Sequence, residues 1–183
     1  MTSPPKIFDR ALLRKRLSRA LRAKNPCDFL MARTAEDLAF RLSAVQRAFP
    51  RALDLGSPHP AVAEILAAAG RFVVRAAPVM DVLGGALSGE KLIADEEFLP
   101  FAPESFDLVV CGLNMQFVND LPGVLAQIRR ILAPDGLFLA AMAGGQTLRE
   151  LRICLARAQE EIEGGASPRV APFTDLRDLG GLL

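Results

Sequence analysis

The sequence predicts an α/β protein built on a Rossmann-like, doubly wound parallel sheet of about five strands. Three observations carry this. Apolar runs of strand length alternate with amphipathic stretches of helix length from residue 51 to residue 163, the pattern of parallel strands joined by helical crossovers. The first run closes in Leu53-Asp54-Leu55-Gly56, as such folds do where the chain turns into the ligand site. And 51% of the 183 residues are hydrophobic, enough to bury one good core.

Pro4-Pro5 opens the chain as a disordered start. Residues 10–24 then carry seven Lys or Arg (Arg10, Arg14, Lys15, Arg16, Arg19, Arg22 and Lys24), with Leu12, Leu13, Leu17 and Leu21 at helical spacing between them. This reads as an amphipathic helix packed on the domain, or as an arm that docks a partner or an anionic surface. Nothing in the spacing aims its charges at the pocket, so partner contact is the expected role. Asn25-Pro26 breaks the pattern. Thr34 is placed as the N-cap of a helix reaching about Ala48, with Glu36 and Asp37 in its first turn. Phe49-Pro50 stops it.

Strand one is Arg51–Leu55. A helix over Ala61–Ala69 ends at Gly70, and strand two follows at Arg71–Ala76. Residues 78–90 are irregular, broken by Gly84-Gly85 and Gly89. Strand three is Lys91–Ala94 and strand four Phe106–Cys111. A helix over Asp120–Leu132 stops at Pro134-Asp135-Gly136, a turn tripeptide, and strand five is Leu137–Met142. A long helix, Thr147–Glu163, ends at Gly164-Gly165 and leads into a loop and the start of another helix. The organisation expected is a helical segment, residues 1–50, packed on a core of residues 51–183, as one domain overall.

A formal net charge of +1 gives no global argument for nucleic acid or a membrane surface. No apolar run approaches the roughly 18–20 residues of a membrane span. Cys27, Cys111 and Cys154 are scattered, and His59 is the one histidine, so no metal-ligand spacing exists. The thiols suit a reducing cytoplasm, the localisation expected. The first 24 residues are Arg-rich but lack the serine of a transit peptide.

Ligands of doubly wound sheets sit beyond the carboxyl ends of the strands, and five segments reach that place. Asp54–Pro60 comes first. Its Ser57-Pro58-His59-Pro60 stands where a glycine-rich turn would bring backbone N–H groups close to a ligand, and proline has no such donor. The segment also reads as a plain turn, with Ser57 as N-cap and Pro58 at the first helical position. Second, strand two ends in Arg75-Ala76-Ala77-Pro78, without the acid that binds ribose hydroxyls; Asp81 is several residues late. Third, Asp95-Glu96-Glu97 offers carboxylates that can accept from a purine amine, or a solvated turn. Fourth, Cys111–Val118 contributes Asn114 and Gln116, with Cys111 itself read as a core thiol. Fifth, Gly144-Gly145-Gln146-Thr147 caps the long helix. No catalytic residue emerges, because His59 has no visible nucleophile or orienting partner.

Several stretches resemble the class I S-adenosylmethionine (SAM)-dependent methyltransferases, in the branch of the mitochondrial arginine hydroxylases that assemble respiratory complex I. They are Phe8-Asp9-Arg10 with the basic helix, Phe49–Gly56, Ala94–Phe101, Phe106–Val110, Val118–Pro122, Gly144–Leu148 and Pro172-Phe173-Thr174. The resemblance implies that Asp54 and Gly56 form the strand-one end of the cofactor site and that Asp95 is the adenine-side acid. Pro58 and Pro60 replace glycines of the branch, Ala76 replaces the ribose-binding acid, and Gln116-Phe117 replaces a His-Trp pair. The residues expected at a cofactor are therefore Asp54, Gly56, Ser57, Asp95, Glu96 and Cys111, with SAM binding weak or lost. The family chain also has two more strands after residue 183. Strand five is then an open edge, expected to pair with a second copy or a partner strand, or to be covered by the segment after Gly164. The function expected is that of a degenerate relative acting through a protein partner, such as a respiratory-complex subunit. An active methyltransferase or arginine hydroxylase is the alternative, and a basic-arm module for RNA or anionic lipid a third.

Overall fold

In a computed structural model, described over residues 6–23, 28–84 and 89–183, β1 (Arg51–Leu55), β2 (Phe72–Ala77), β3 (Glu90–Ile93), β4 (Phe106–Gly112) and β5 (Leu132–Ala141) form one sheet. Its order is β3-β2-β1-β4-β5, and every pairing is parallel. The chain leaves β1 toward β2 on one side and later returns to β4 on the other. The direction of winding therefore reverses between β1 and β4, and the crevice of such a fold opens there. The Rossmann-like class read from the sequence is the class found.

Two faces of the sheet are buried because successive strand residues point to opposite sides. Ala52, Val73, Leu108 and Val110 pack against α2 (Phe29–Ser43) through Ala35, Leu38 and Leu42, and against α3 (Ala61–Ala68) through Val62 and Leu66. Leu53, Leu55, Val109 and Cys111 face the other way, toward Val124, Ile128 and Ile131 of α4 (Leu121–Ile131). The N-terminal helix α1 (Arg10–Leu21) lays Leu17 and Leu21 on a smaller cluster of Ala77, Val82 and Leu83. The last two lie in a 3-10 turn, Met80–Leu83.

These elements belong to one compact unit, Met1–Met142; Ala143–Leu183 form a second. In the second unit, α5 (Arg149–Glu163) ends at Gly164 with φ +70°. The Asp175 carboxylate caps α6 (Leu176–Gly180) by accepting from the Asp178 N–H at 2.9 Å.

Several boundaries differ from the sequence reading. Thr34 does not cap α2; it lies inside the helix, where its hydroxyl donates to the Leu30 carbonyl at 2.8 Å. That back-bond satisfies the hydroxyl mid-helix. The helix begins at Phe29 and stops at Ser43, well before Ala48. Ser57 does not cap α3 either, because its hydroxyl accepts from the Gly112 N–H at 2.9 Å. The turn at Pro134-Asp135-Gly136 is instead a bulge within a strand that begins at Leu132. Phe106 pairs with Leu132 and Leu108 already with Leu137, and Asp135 takes φ +58° to absorb the excess. Thr147 does not cap α5, which starts after Leu148 without a side-chain cap. Asp120 does cap α4, accepting from the Gly123 N–H at 2.9 Å. The features placed at Pro4-Pro5, Lys24, Asn25-Pro26, Cys27 and Gly85 lie outside the described residues.

Candidate functional site

The crevice is floored by the turn after β1. Gly56 takes φ +71° and donates its N–H to the Ala76 carbonyl at 2.7 Å. A Cβ built on Gly56 would lie 2.0 Å from Asn114 Nδ2 and 2.7 Å from Glu96 Oε1. Glycine is thus required twice, for its backbone conformation and for the side chains that crowd onto it.

Asn114 arrives there through a strained exit from β4. Leu113 holds φ +59°, at a cost of about 1–2 kcal/mol for an L-residue, and its N–H donates to the Ala141 carbonyl at 2.8 Å. Asn114 is 8% exposed, and neither atom of its amide has a hydrogen-bond partner. Asp54 Oδ1, Arg75 Nη1, Arg10 Nε and Gln116 Oε1 are buried without partners as well. Buried orphans of this kind are rare and expensive; Arg14 Nε is a further one on the α1 side, while Arg71 Nε lies at the opposite end, just before β2.

Beneath the floor lies an ion pair that sequence reasoning missed. Asp54 and Arg75 are register neighbours on β1 and β2, 0% and 2% exposed. Arg75 Nε donates to Asp54 Oδ2 at 3.2 Å and Nη2 to the Ser57 carbonyl at 3.1 Å. Burial pushes the Asp54 carboxyl up to about 6, against the opposing pull of Ser57 and Arg75. Burial likewise lowers Arg75. The signal available was a lone arginine in an otherwise apolar strand, one position ahead of Ala76. Cys111, also at the floor, is a buried core thiol, its pKa raised first by burial and further by Asp54 and Glu96.

The tip of β3 carries the acids, and two charges of the basic helix reach them, which its spacing did not indicate. Arg10 donates to Asp95 Oδ1 at 2.8 Å and also pairs with Glu96, while Arg14 pairs with Asp95. Burial raises Asp95, but the Glu97 amide, Arg10 and Arg14 outweigh it and hold the carboxyl below its ordinary value. Phe8-Asp9-Arg10 works as one device. The Phe8 ring meets Phe117 edge-on at 5.9 Å, and its backbone exchanges two hydrogen bonds with Asn119 at 2.8 and 3.2 Å. Asp9 caps α1 by accepting from the Leu12 N–H at 2.9 Å. So the helix packs on the domain and two of its arginines reach the crevice. Glu97 is engaged elsewhere, accepting from the Asn119 N–H at 2.6 Å. Asp81 is not a displaced ribose acid; Arg22 grips it at 2.7 and 3.1 Å.

His59 accepts from the Ala61 N–H at 3.2 Å through Nδ1, with Nε2 3.4 Å from Asp28, and serves the start of α3. Among the described residues, no group of three metal-ligating side chains comes together, and no helix is long and apolar enough to cross a membrane. Outside the crevice, α1 borders an open groove of about 750 Å³ lined by Arg14, Lys15, Arg19 and Arg22 over Val79.

A parallel five-stranded sheet with its crevice between β1 and β4 defines the class, and residues 53–140 match the model of the methyltransferase domain family. Over those residues the chain resembles a methyltransferase domain, and its sheet has the Rossmann-like methyltransferase fold that its motifs implied. It is 43% identical over 97% of its length to the human protein named arginine-hydroxylase NDUFAF5, mitochondrial, and 41% identical over 97% to the zebrafish (Danio rerio) protein of the same name. It spans about half of these relatives, 53% and 57%. In fold it is similar to the N-methyltransferase NodS of Bradyrhizobium japonicum, solved with S-adenosyl-L-homocysteine. That likeness has a TM-score of 0.63 and 21% identity, covering 75% of this chain and 76% of that one. The relatives named mitochondrial overturn the cytoplasmic expectation.

Proposed function

We propose that this is a methyltransferase-fold assembly factor that acts through a protein partner and binds SAM weakly, in a crevice now filled by its own side chains. One observation carries the reading: Asn114 and Glu96 occupy the space directly over Gly56, while Arg10 and Arg14 neutralise the acids of β3. The nucleoside end of SAM fits the donor set, because Asp95, Glu96 and the orphaned Asn114 amide supply acceptors and a donor. The methionine end fits poorly, because Pro58 and Pro60 offer no N–H. Bound there, SAM would supply an activated methyl group.

The partner reading rests on the cationic groove along α1, which suits an acidic protein surface, and on the resemblance to assembly factors of respiratory complex I. A complex subunit is the partner class this favours. An alternative, catalytic reading draws support from the orphaned Asn114, Arg75 and Gln116 atoms, which a bound polar ligand would satisfy. Titration calorimetry with SAM separates the two. A dissociation constant near or above about 100 μM, with capture of an acidic subunit that survives saturating SAM, fits the proposal. Low-micromolar binding favours the catalytic reading.

A further inference from the structure

We infer that Glu96 has taken over the ribose-binding role that the end of β2 has lost, an inference resting on the weak nucleoside site just proposed. In doubly wound folds, an acid near the end of β2 receives the ribose hydroxyls, and Ala76 in that region cannot. Glu96 starts from the tip of β3, the outer neighbour of β2, yet its Oε1 lies over Gly56 at the end of β1. The strand between those two ends is β2. The backbone brings the three ends together: Gly56 N–H donates to the Ala76 carbonyl at 2.7 Å, and Ala94 N–H to the Ala77 carbonyl at 3.0 Å.

The neighbouring acids are engaged or placed elsewhere: Asp95 meets Arg10 and the Glu97 N–H through Oδ1 and Arg14 through Oδ2. Asp54 is paired with Arg75 below the floor, Asp81 with Arg22, and Glu97 holds the Asn119 N–H. Glu96 is 3% exposed, and its charge is met by Arg10, whose Nε is itself an orphan. Arg10 meets Oε2 of this carboxylate, whereas Oε1 is the oxygen that lies over Gly56, so the two oxygens are placed for different donors. Two vicinal hydroxyls are such donors, and charge-assisted bonds to them are the strong kind.

Adenosine and 2′,3′-dideoxyadenosine serve as probes, with S-adenosylhomocysteine as a reference, in calorimetric or NMR titrations of the full chain. The unaltered protein should bind adenosine about tenfold more tightly than the dideoxy compound. Glu96→Gln should erase that difference by weakening adenosine alone, and Ala76→Asp in the Glu96→Gln background should restore it. Equal affinity for the two nucleosides in the unaltered protein overturns the assignment without any variant. So does a Glu96→Gln loss shared by both probes. Tight S-adenosylhomocysteine binding with equal nucleoside affinities would overturn the weak-site reading and this one separately. No binding of any probe would overturn the assignment and leave the partner-only reading.

Discussion

Arg75→Met would leave the Asp54 carboxylate buried beside no cation, and breaking such a pair from one side costs about 3–5 kcal/mol. The melting temperature should fall by roughly 10 °C, and a smaller fall would mean that water reaches the pair. Asp54 also sets a pH dependence. Its carboxyl stands at about 6 in the fold against an ordinary 3.8, so between those values the folded chain holds the proton more tightly than the unfolded one. Its contribution to stability is full below about pH 4 and is lost as pH rises through 6. Denaturant midpoints should show that decline, and Asp54→Asn should flatten it. Gly56→Ala tests the floor differently: the left-handed φ and the Asn114 amide both oppose a methyl group. The loss should exceed the 1–2 kcal/mol of backbone strain alone and shrink toward it when combined with Asn114→Ala. The positions of Asp54, Gly56 and Asp95 by the strand ends were legible in the sequence because each closes or follows an apolar run, but the burial of Asp54 against Arg75 was not. Asn114 over Gly56 was not, since that contact depends on the positive φ of Leu113, which an ordinary leucine does not advertise.

At the scale of elements, the strands were readable because each is an apolar run bounded by turn residues. The helix starts were not, where a hydroxyl had two possible partners. Ser57 chose the Gly112 amide over capping, and Thr34 chose its own preceding turn. The docking of α1 was hidden for another reason. Arg10 and Asp95 are 85 positions apart, and a helical spacing says which side chains share a face but not what that face meets. The geometry now divides the basic residues. Arg10→Glu with Arg14→Glu sets like charges against Asp95 and Glu96 and should lower the melting temperature by several degrees. Lys15→Glu, Arg16→Glu and Arg19→Glu together should leave it nearly unchanged while weakening capture of an acidic partner. Equal thermal losses in both sets would mean that the outer cations also pack on the domain.

For the whole molecule, the question is the edge of the sheet. Among the described residues β5 is hydrogen-bonded to β4 alone, and Leu137–Met142 carries neither charge nor proline. Such an edge pairs readily with another chain. Ala141 turns its carbonyl toward the β4 side, where Leu113 donates to it, so Ala140 turns its own N–H outward. Ala140→Pro therefore removes an edge donor without touching the β4 ladder. Light scattering should find a dimer for the unaltered chain and a monomer for this variant. A monomer in both would remove the edge as an interface between copies.

The contact of Arg10 with Asp95 and Glu96 has a kinetic consequence. A nucleoside seeking those carboxylates meets them already taken, so the first event is the departure of the guanidinium. Association would then be paced by opening, and the observed rate in stopped-flow mixing would climb with ligand concentration and level off. Because Arg14 also holds Asp95, Arg10→Ala with Arg14→Ala clears the carboxylates, and the rate should then rise in proportion to ligand throughout. The arginine would act as a doorkeeper whose reluctance sets how fast the crevice can be entered, whatever the final affinity.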